Sequence, residues 1–187
     1  IVDVVRRINE LPKPPRISLT TNALRLAEVA QELKDAGLAR VNVSLDTLDP
    51  VRFKEMTHRD RFHDVITGIE AAKAAGLTPL KVNAVLLKGV NDDEAIPLLR
   101  HALANDWNLR FIEQMPLDAG DLWARPVMVT ADEIQSELER EFALTPVPSR
   151  GSAPAEEFYV NGGPETVGII ASVTRPFCAA CDRLRLT

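Results

Sequence analysis

Val41-Asn42-Val43-Ser44-Leu45-Asp46-Thr47-Leu48-Asp49-Pro50 is the stretch that decides the fold. Apolar and polar residues alternate through Asp46, as on a strand whose successive side chains face opposite sides. Asp49-Pro50 then opens a short helix, with Asp as N-cap and Pro at the first helical position. The same alternation of strand and helix extends in both directions. Upstream, Leu26, Val29, Ala30 and Leu33 recur at helical spacing, and Gly37 ends that helix. Residues 17–21 form a strand before it, and residues 1–11 the end of a helix stopped by Pro12, Pro14 and Pro15. Downstream, Phe62, Val65, Ile66, Ile69 and Ala72 mark a longer helix closed by Gly76. Residues 80–86 are the next strand. Asn91-Asp92-Asp93 leads into a helix that tolerates Pro97 only near its first turn, and residues 109–115 are a further strand. Four strands separated by helices imply βαβ units and a parallel sheet.

Past that point the character changes. Residues 117–126 read as an irregular loop. Thr130-Ala131-Asp132-Glu133 is a capping box opening a helix to about Phe142. Residues 146–154, rich in Pro, Ser and Gly, read as a loop or linker. Residues 158–160 and 167–173 pair as strands around Asn161-Gly162-Gly163-Pro164.

Composition bounds the function. The chain has 187 residues, 45% of them hydrophobic, which suffices for a sizeable core and excludes general disorder. Against 22 Lys and Arg stand 27 Asp and Glu, a net charge of −5 that disfavours bulk nucleic-acid binding. No apolar run approaches the ~18 residues of a membrane span, and no signal peptide is recognisable. Free cysteines and the missing export signal point to the cytoplasm. The first residues lack an initiator Met and begin as if inside a helix, so the expectation is a fragment of a longer protein.

Strands of a parallel sheet are usually apolar on both faces. Here Asn42, Ser44 and Asp46 share one face of their strand, and Lys81 and Asn83 one face of theirs. Thr20, Thr21 and Asn22 close the first strand; Arg110, Glu113 and Met115 lie along the last. Each has an ordinary explanation taken alone: a strand end, a helix cap, a lysine reaching for water, a methionine filling core. Their convergence at comparable places on successive strands favours a polar site near the C-terminal strand ends, where barrel-like sheets carry their chemistry. A lysine on such a face calls for an anionic ligand or a carboxylate.

Cys178 and Cys181 form the one C-x-x-C, a spacing that lets both thiolates reach one metal or cluster. Two ligands leave a zinc or iron–sulfur site incomplete, and a redox pair or an inert buried pair has the same spacing. Arg183 and Arg185 follow; in an extended stretch both guanidiniums face one side and suit a polyphosphate or carboxylate. One reading of these features is a nucleotide- or phosphate-binding α/β module with structural zinc at the C-x-x-C.

The ordered set is more specific than its parts. It comprises Thr20-Thr21-Asn22, Val43-Ser44-Leu45-Asp46-Thr47-Leu48, Lys81-Val82-Asn83, Gly89-Val90-Asn91-Asp92, Arg110-Phe111-Ile112-Glu113-Gln114-Met115-Pro116, and Phe177-Cys178-x-x-Cys181-Asp182-Arg183-Leu184-Arg185-Leu186-Thr187. This resembles the GTP 3′,8-cyclases, radical S-adenosylmethionine (SAM) lyases of molybdenum cofactor biosynthesis. The resemblance implies an α/β fold, a partial, incomplete parallel βα barrel of the radical SAM type with a C-terminal extension. Residues 1–116 would supply middle and later βα units, and residues 117–187 the region leading to a second iron–sulfur cluster. It implies two [4Fe-4S] clusters and SAM as cofactors and GTP as substrate. It implies a cytoplasmic homodimer with no nucleic-acid or membrane partner. Motif by motif, Thr20, Lys81, Arg183 and Arg185 would contact GTP. Ser44, Met115 and Asn83 would contact SAM, and Cys178 and Cys181 would ligate the second cluster.

The sequence departs from the family pattern in several places. It contains neither the C-x-x-x-C-x-x-C segment of the first cluster nor the glycine-rich segment that holds the methionine amino group. Ala23 stands where the family often has Gly, and a third C-terminal cysteine is expected beyond Thr187. The expectation is that this chain alone does not generate the radical.

Overall fold

The computed structural model describes residues 1–116, 127–148, 151 and 153–176, which divide into two compact units, 1–83 and 84–187. In the first unit α1 is Val2–Asn9, β1 Ser18–Thr21, α2 Leu26–Asp35, β2 Arg40–Ser44, α3 Pro50–Thr57 and α4 Phe62–Ala74; β3, Lys81–Ala84, closes it. β2 pairs in parallel with β1 on one side and β3 on the other, as the alternation implies.

One face of this sheet is apolar. Val41, Val43 and Val82 are fully buried, together with Leu26, Ala30 and Leu33 of α2 and Val65, Ile69 and Ala72 of α4. Burying each such Val, Leu or Ile contributes about 1.5–3 kcal/mol, so this layer carries most of the unit's stability. α2 and α4 pack closely because position 68 is Gly: a Cβ there would lie 2.5 Å from the Ala23 carbonyl oxygen. Ala23 itself has φ 61°, a left-handed conformation that fits the glycine expected at this place. The start of α3 follows its sequence closely. The Asp49 carboxylate accepts from the Val51 and Arg52 amides at 2.7 and 3.3 Å, with Pro50 first in the helix.

In the second unit a 3-10 turn, Asp92–Glu94, runs into α5, Ala95–Ala104, which places Pro97 in the first turn. β4 is Asn108–Ile112, α6 Ala131–Leu138, β5 Leu144–Pro146, β6 Glu156–Val160 and β7 Thr166–Ile170. β7 lies parallel to β4 and antiparallel to β6, and β5 adds antiparallel to β6. The β6–β7 hairpin and the Thr130–Glu133 capping box are as the sequence indicates. Three strands end earlier than expected, β3 at Ala84 rather than 86, β4 at Ile112 rather than 115 and β7 at Ile170 rather than 173, so Glu113 and Met115 lie beyond β4. Two further boundaries differ. α6 stops at Leu138 rather than near Phe142, and Leu144–Pro146 is a strand where the end of a helix and a linker were expected. The cause is tertiary: buried Phe142 anchors the chain, and Asn161 exchanges hydrogen bonds with Ala143, its amide donating to the carbonyl and its Oδ1 accepting from the amide. That draws the following residues onto the free edge of β6.

Candidate functional site

The strand registers of the first unit turn scattered polar residues into rows. Thr20, Asn42 and Lys81 stand side by side across β1, β2 and β3, and Ser44 stands beside Asn83 two residues further along. With a rise of about 3.3 Å per residue, the two rows are about 7 Å apart. They share the face opposite Val41, Val43 and Val82. Thr20 and Ser44 are exposed, and Asn42, Lys81 and Asn83 are half-buried. The Asn42 amide donates to the Thr20 hydroxyl at 3.2 Å, fixing the first row. Asn83 differs: its Oδ1 is buried with no hydrogen-bond partner among the described residues. Such an atom costs about 1–3 kcal/mol unless a donor reaches it, so a donor on this face would be favoured.

Not every polar residue at the strand ends belongs to that face's chemistry. The Thr21 hydroxyl accepts from the Ala23 amide at 3.0 Å, and Asn22 Oδ1 from the Leu24 amide at 3.4 Å. Both stabilise the turn after β1, the ordinary reading. Thr47, fully buried, likewise accepts from the Asp49 amide at 3.0 Å.

Beside Ser44 a cavity of about 260 Å³ opens under α3, lined by Asn22, Ser44, Asp46, Phe53, Met56 and Arg59 among others. Its apolar floor comes from the helix and its polar rim from the ends of β1 and β2. The α3 contribution was not anticipated from the sequence, where Phe53 and Met56 carry no signal beyond apolar side chains in a short helix. Arg40 was also missed. It lies on the same face as Asn42 and Ser44, with its Nε buried and unpartnered among the described residues. The alternation through Asn42 and Ser44, extended back two residues, was the signal.

In the second unit the buried carboxylate of Glu113 is treated otherwise. Glu113, 1% exposed, follows β4 and accepts four hydrogen bonds. Oε1 takes the Ala131 amide at 2.7 Å and the Thr174 hydroxyl at 2.5 Å; Oε2 takes the Val173 and Thr174 amides at 2.8 and 2.9 Å. Burial pushes this carboxyl up, but the donors of Thr174, Ala131 and Val173 outweigh it and hold it below its ordinary value of 4.5. Arg110 stands beside Gly168 of β7, which stands beside Glu157 of β6. The guanidinium reaches Glu157 at 3.3 Å. A Cβ at 168 would meet Arg110 Cγ at 3.0 Å, so glycine leaves the path open.

Met115, beyond β4, is 43% exposed and available for contact. Cys178, Cys181, Arg183 and Arg185 lie outside the described residues. Among the described residues no group of three or more His, Cys, Asp or Glu could hold a metal ion, and no helix is long and apolar enough to cross a membrane.

Parallel βα units with polar rows on one sheet face suit many chemistries, and comparison with known proteins gives the family. Residues 1–102 match the Radical SAM superfamily, and residues 107–187 match Molybdenum Cofactor Synthesis C. The chain belongs to the radical SAM superfamily. A Streptomyces coelicolor protein named GTP 3',8-cyclase is 58% identical over 189 residues, covering 100% of this chain and 55% of that protein. Proteins of the same name from Mycolicibacterium smegmatis and Mycobacterium ulcerans are 52% and 50% identical, each covering 99% of this chain and 53% of its own length. The chain thus spans about half the length of the curated relatives it matches. A solved structure of TYW1 with a lysine–pyruvate adduct bound overlaps 70% of this chain and 43% of its own at TM-score 0.48 and 14% identity, too slight a likeness to carry weight.

Proposed function

We propose that this chain is the part of a radical SAM GTP 3′,8-cyclase that receives GTP and SAM, acting in molybdenum cofactor biosynthesis. The observation that carries the proposal is the pair of polar rows, Thr20–Asn42–Lys81 and Ser44–Asn83, on a sheet whose other face carries the buried Val41, Val43 and Val82. Relatives named GTP 3',8-cyclase match along the whole chain, which supports GTP as a ligand, and the Radical SAM match supports SAM.

Two [4Fe-4S] clusters and SAM are the cofactors, and when bound they supply the one-electron chemistry that yields a 5′-deoxyadenosyl radical. The residues here fit SAM in one definite respect: the orphaned Asn83 Oδ1, beside exposed Ser44, is an acceptor awaiting a donor. Ser44 and Asn83 hold the polar parts of SAM, and Met115 packs against it. Lys81 and Thr20 face GTP, the ammonium offsetting triphosphate charge and the hydroxyl fixing orientation. Arg183 and Arg185 complete the phosphate grip, and Cys178 and Cys181 hold the second cluster. Residues 1–116 serve as barrel units and residues 117–187 as the cluster-bearing region. The homodimer and cytoplasmic location belong to the same reading. The chain's residues thereby position ribose and base for ring closure and exclude water, while the cofactors supply the radical step.

The test uses the full-length protein, anaerobically reconstituted, with Arg183→Ala and Arg185→Ala combined. GTP cyclisation is expected to be lost while SAM cleavage remains measurable. Full cyclisation by the double variant contradicts the assigned role. Stoichiometric zinc without iron or sulfide in the wild-type protein replaces the proposal with a binding module.

A further inference from the structure

We infer that Arg40 is a further phosphate-binding residue, whose guanidinium takes the far end of the GTP triphosphate. The inference rests on the reading of the Thr20–Asn42–Lys81 row as the place that receives the nucleotide.

The polar face of β1–β3 has a third row beyond the two already described. Ser18 of β1 stands beside Arg40 of β2, two residues before Thr20 and Asn42. The Ala39 amide donates to the Ile17 carbonyl at 3.0 Å, which holds this end of the pairing in register. β3 begins at Lys81, beside Asn42, so no β3 residue stands next to Arg40. The rows therefore run Ser44–Asn83, Thr20–Asn42–Lys81 and Ser18–Arg40, each about 7 Å from the next along the strands.

What marks Arg40 is the lack of an acceptor. The residue is half-buried, and its Nε is closed off from water with no hydrogen-bond partner among the described residues. Neither a hydrogen bond nor an ion pair joins the rest of its guanidinium to any described residue. Arg110, the half-buried arginine of β4, has Glu157 at 3.3 Å. Ser18 is exposed and neutral, so it does not offset the charge beside it. A guanidinium partly removed from water without an acceptor is costly, and an anion on this face removes that cost. Its fork of donors matches phosphate oxygens in pairs.

The order of the rows indicates which anion. Ser44 and Asn83 hold SAM in the reading above, and the ribose of GTP must approach that row to meet the radical. The triphosphate then runs the other way along the face, past Lys81. Arg40 is the next cation on the face in that direction. One ammonium offsets only part of a triphosphate's charge. A second cation one row further on suits a chain of phosphates better than a single phosphate, so Arg40 selects the triphosphate over nucleotides with shorter tails. A carboxylate supplied from elsewhere in the longer protein is the competing acceptor.

The experiment titrates GTP and GMP calorimetrically into full-length, anaerobically reconstituted wild type, Arg40→Met, Ser18→Asp and Lys81→Ala. Arg40→Met keeps the stem and removes the fork. It is expected to bind GTP about 10- to 100-fold more weakly, the worth of a charge-assisted contact, with GMP affinity within about twofold of wild type. Ser18→Asp sets a carboxylate beside Arg40 from an exposed position, and it decides the matter if Arg40→Met does not fold. It should raise the melting temperature of the ligand-free protein and weaken GTP more than GMP. GTP affinity within about twofold of wild type in either folded variant overturns the inference. So does an equal loss for GTP and GMP, the mark of a structural role. A melting temperature that does not rise in Ser18→Asp means that Arg40 already has its acceptor, and overturns it too. Lys81→Ala tests the underlying reading separately. If that variant binds GTP normally, the whole face is misassigned; if it binds GTP weakly while Arg40→Met binds it normally, only the role of Arg40 fails.

Discussion

Glu113 in the second unit and Asn83 in the first are handled in opposite ways. In the second unit the Glu113 carboxylate is matched from within by four donors. In the first, Asn83 Oδ1 is buried with no hydrogen-bond partner among the described residues, and Thr20 and Ser44 are exposed. All are polar residues on or beside strands with buried apolar neighbours, so sequence position does not separate them. Satisfaction offers one criterion: a buried carboxylate that its own chain completes, as at Glu113, builds the fold, and we read Asn83, on the exposed polar face, as left for something that binds.

That contrast can be broken experimentally. The largest expected effect is at Glu113. Replacement by Ala strands three amides and a hydroxyl, and we expect a loss of about 3 kcal/mol or more in urea denaturation of the full-length protein. An acid titration sharpens the same point. Because the folded-state pKa lies below the ordinary 4.5, the carboxylate's stabilisation is fully present above that pH and is lost as pH falls through the folded value. Wild type should lose stability on acidification below about pH 4.5 more steeply than Glu113→Gln does.

A smaller effect, of packing alone, is expected at Gly68→Ala. The new Cβ would come within 2.5 Å of the Ala23 carbonyl, so α2 and α4 must separate, costing about 1–3 kcal/mol. A thermal melt indistinguishable from wild type would mean that the two helices are less closely packed than described.

The smallest effect has the opposite sign. Asn83→Leu removes an unmatched acceptor and keeps the volume, so we expect the ligand-free protein to gain up to about 1 kcal/mol while its SAM affinity falls. A variant that loses stability and binds SAM normally would place Asn83 with Glu113, among the groups that build the fold.

Much of this was legible in the sequence. The alternation through Val41–Asn42–Val43–Ser44 gave β2 and its polar face, and the capping residues Asp49 and Thr130 gave two helix starts, because those signals act within a few residues. The rows themselves were not legible, since register is set by pairing between strands. Nor was the short strand at Leu144–Pro146, which exists because β6 offers an edge. Glu113 could be noticed as a carboxylate near a strand end. Its partners lie 18, 60 and 61 residues away, beyond any local pattern.

The most direct test of the central claim is calorimetric titration of GTP and of SAM into the full-length reconstituted protein and its Lys81→Ala variant. If the Thr20–Asn42–Lys81 row receives the nucleotide, GTP affinity falls about 10- to 100-fold, the worth of a charge-assisted contact, while SAM affinity stays within about twofold. Unchanged GTP affinity in a folded Lys81→Ala variant would mean that the polar face of β1–β3 is not where the triphosphate binds.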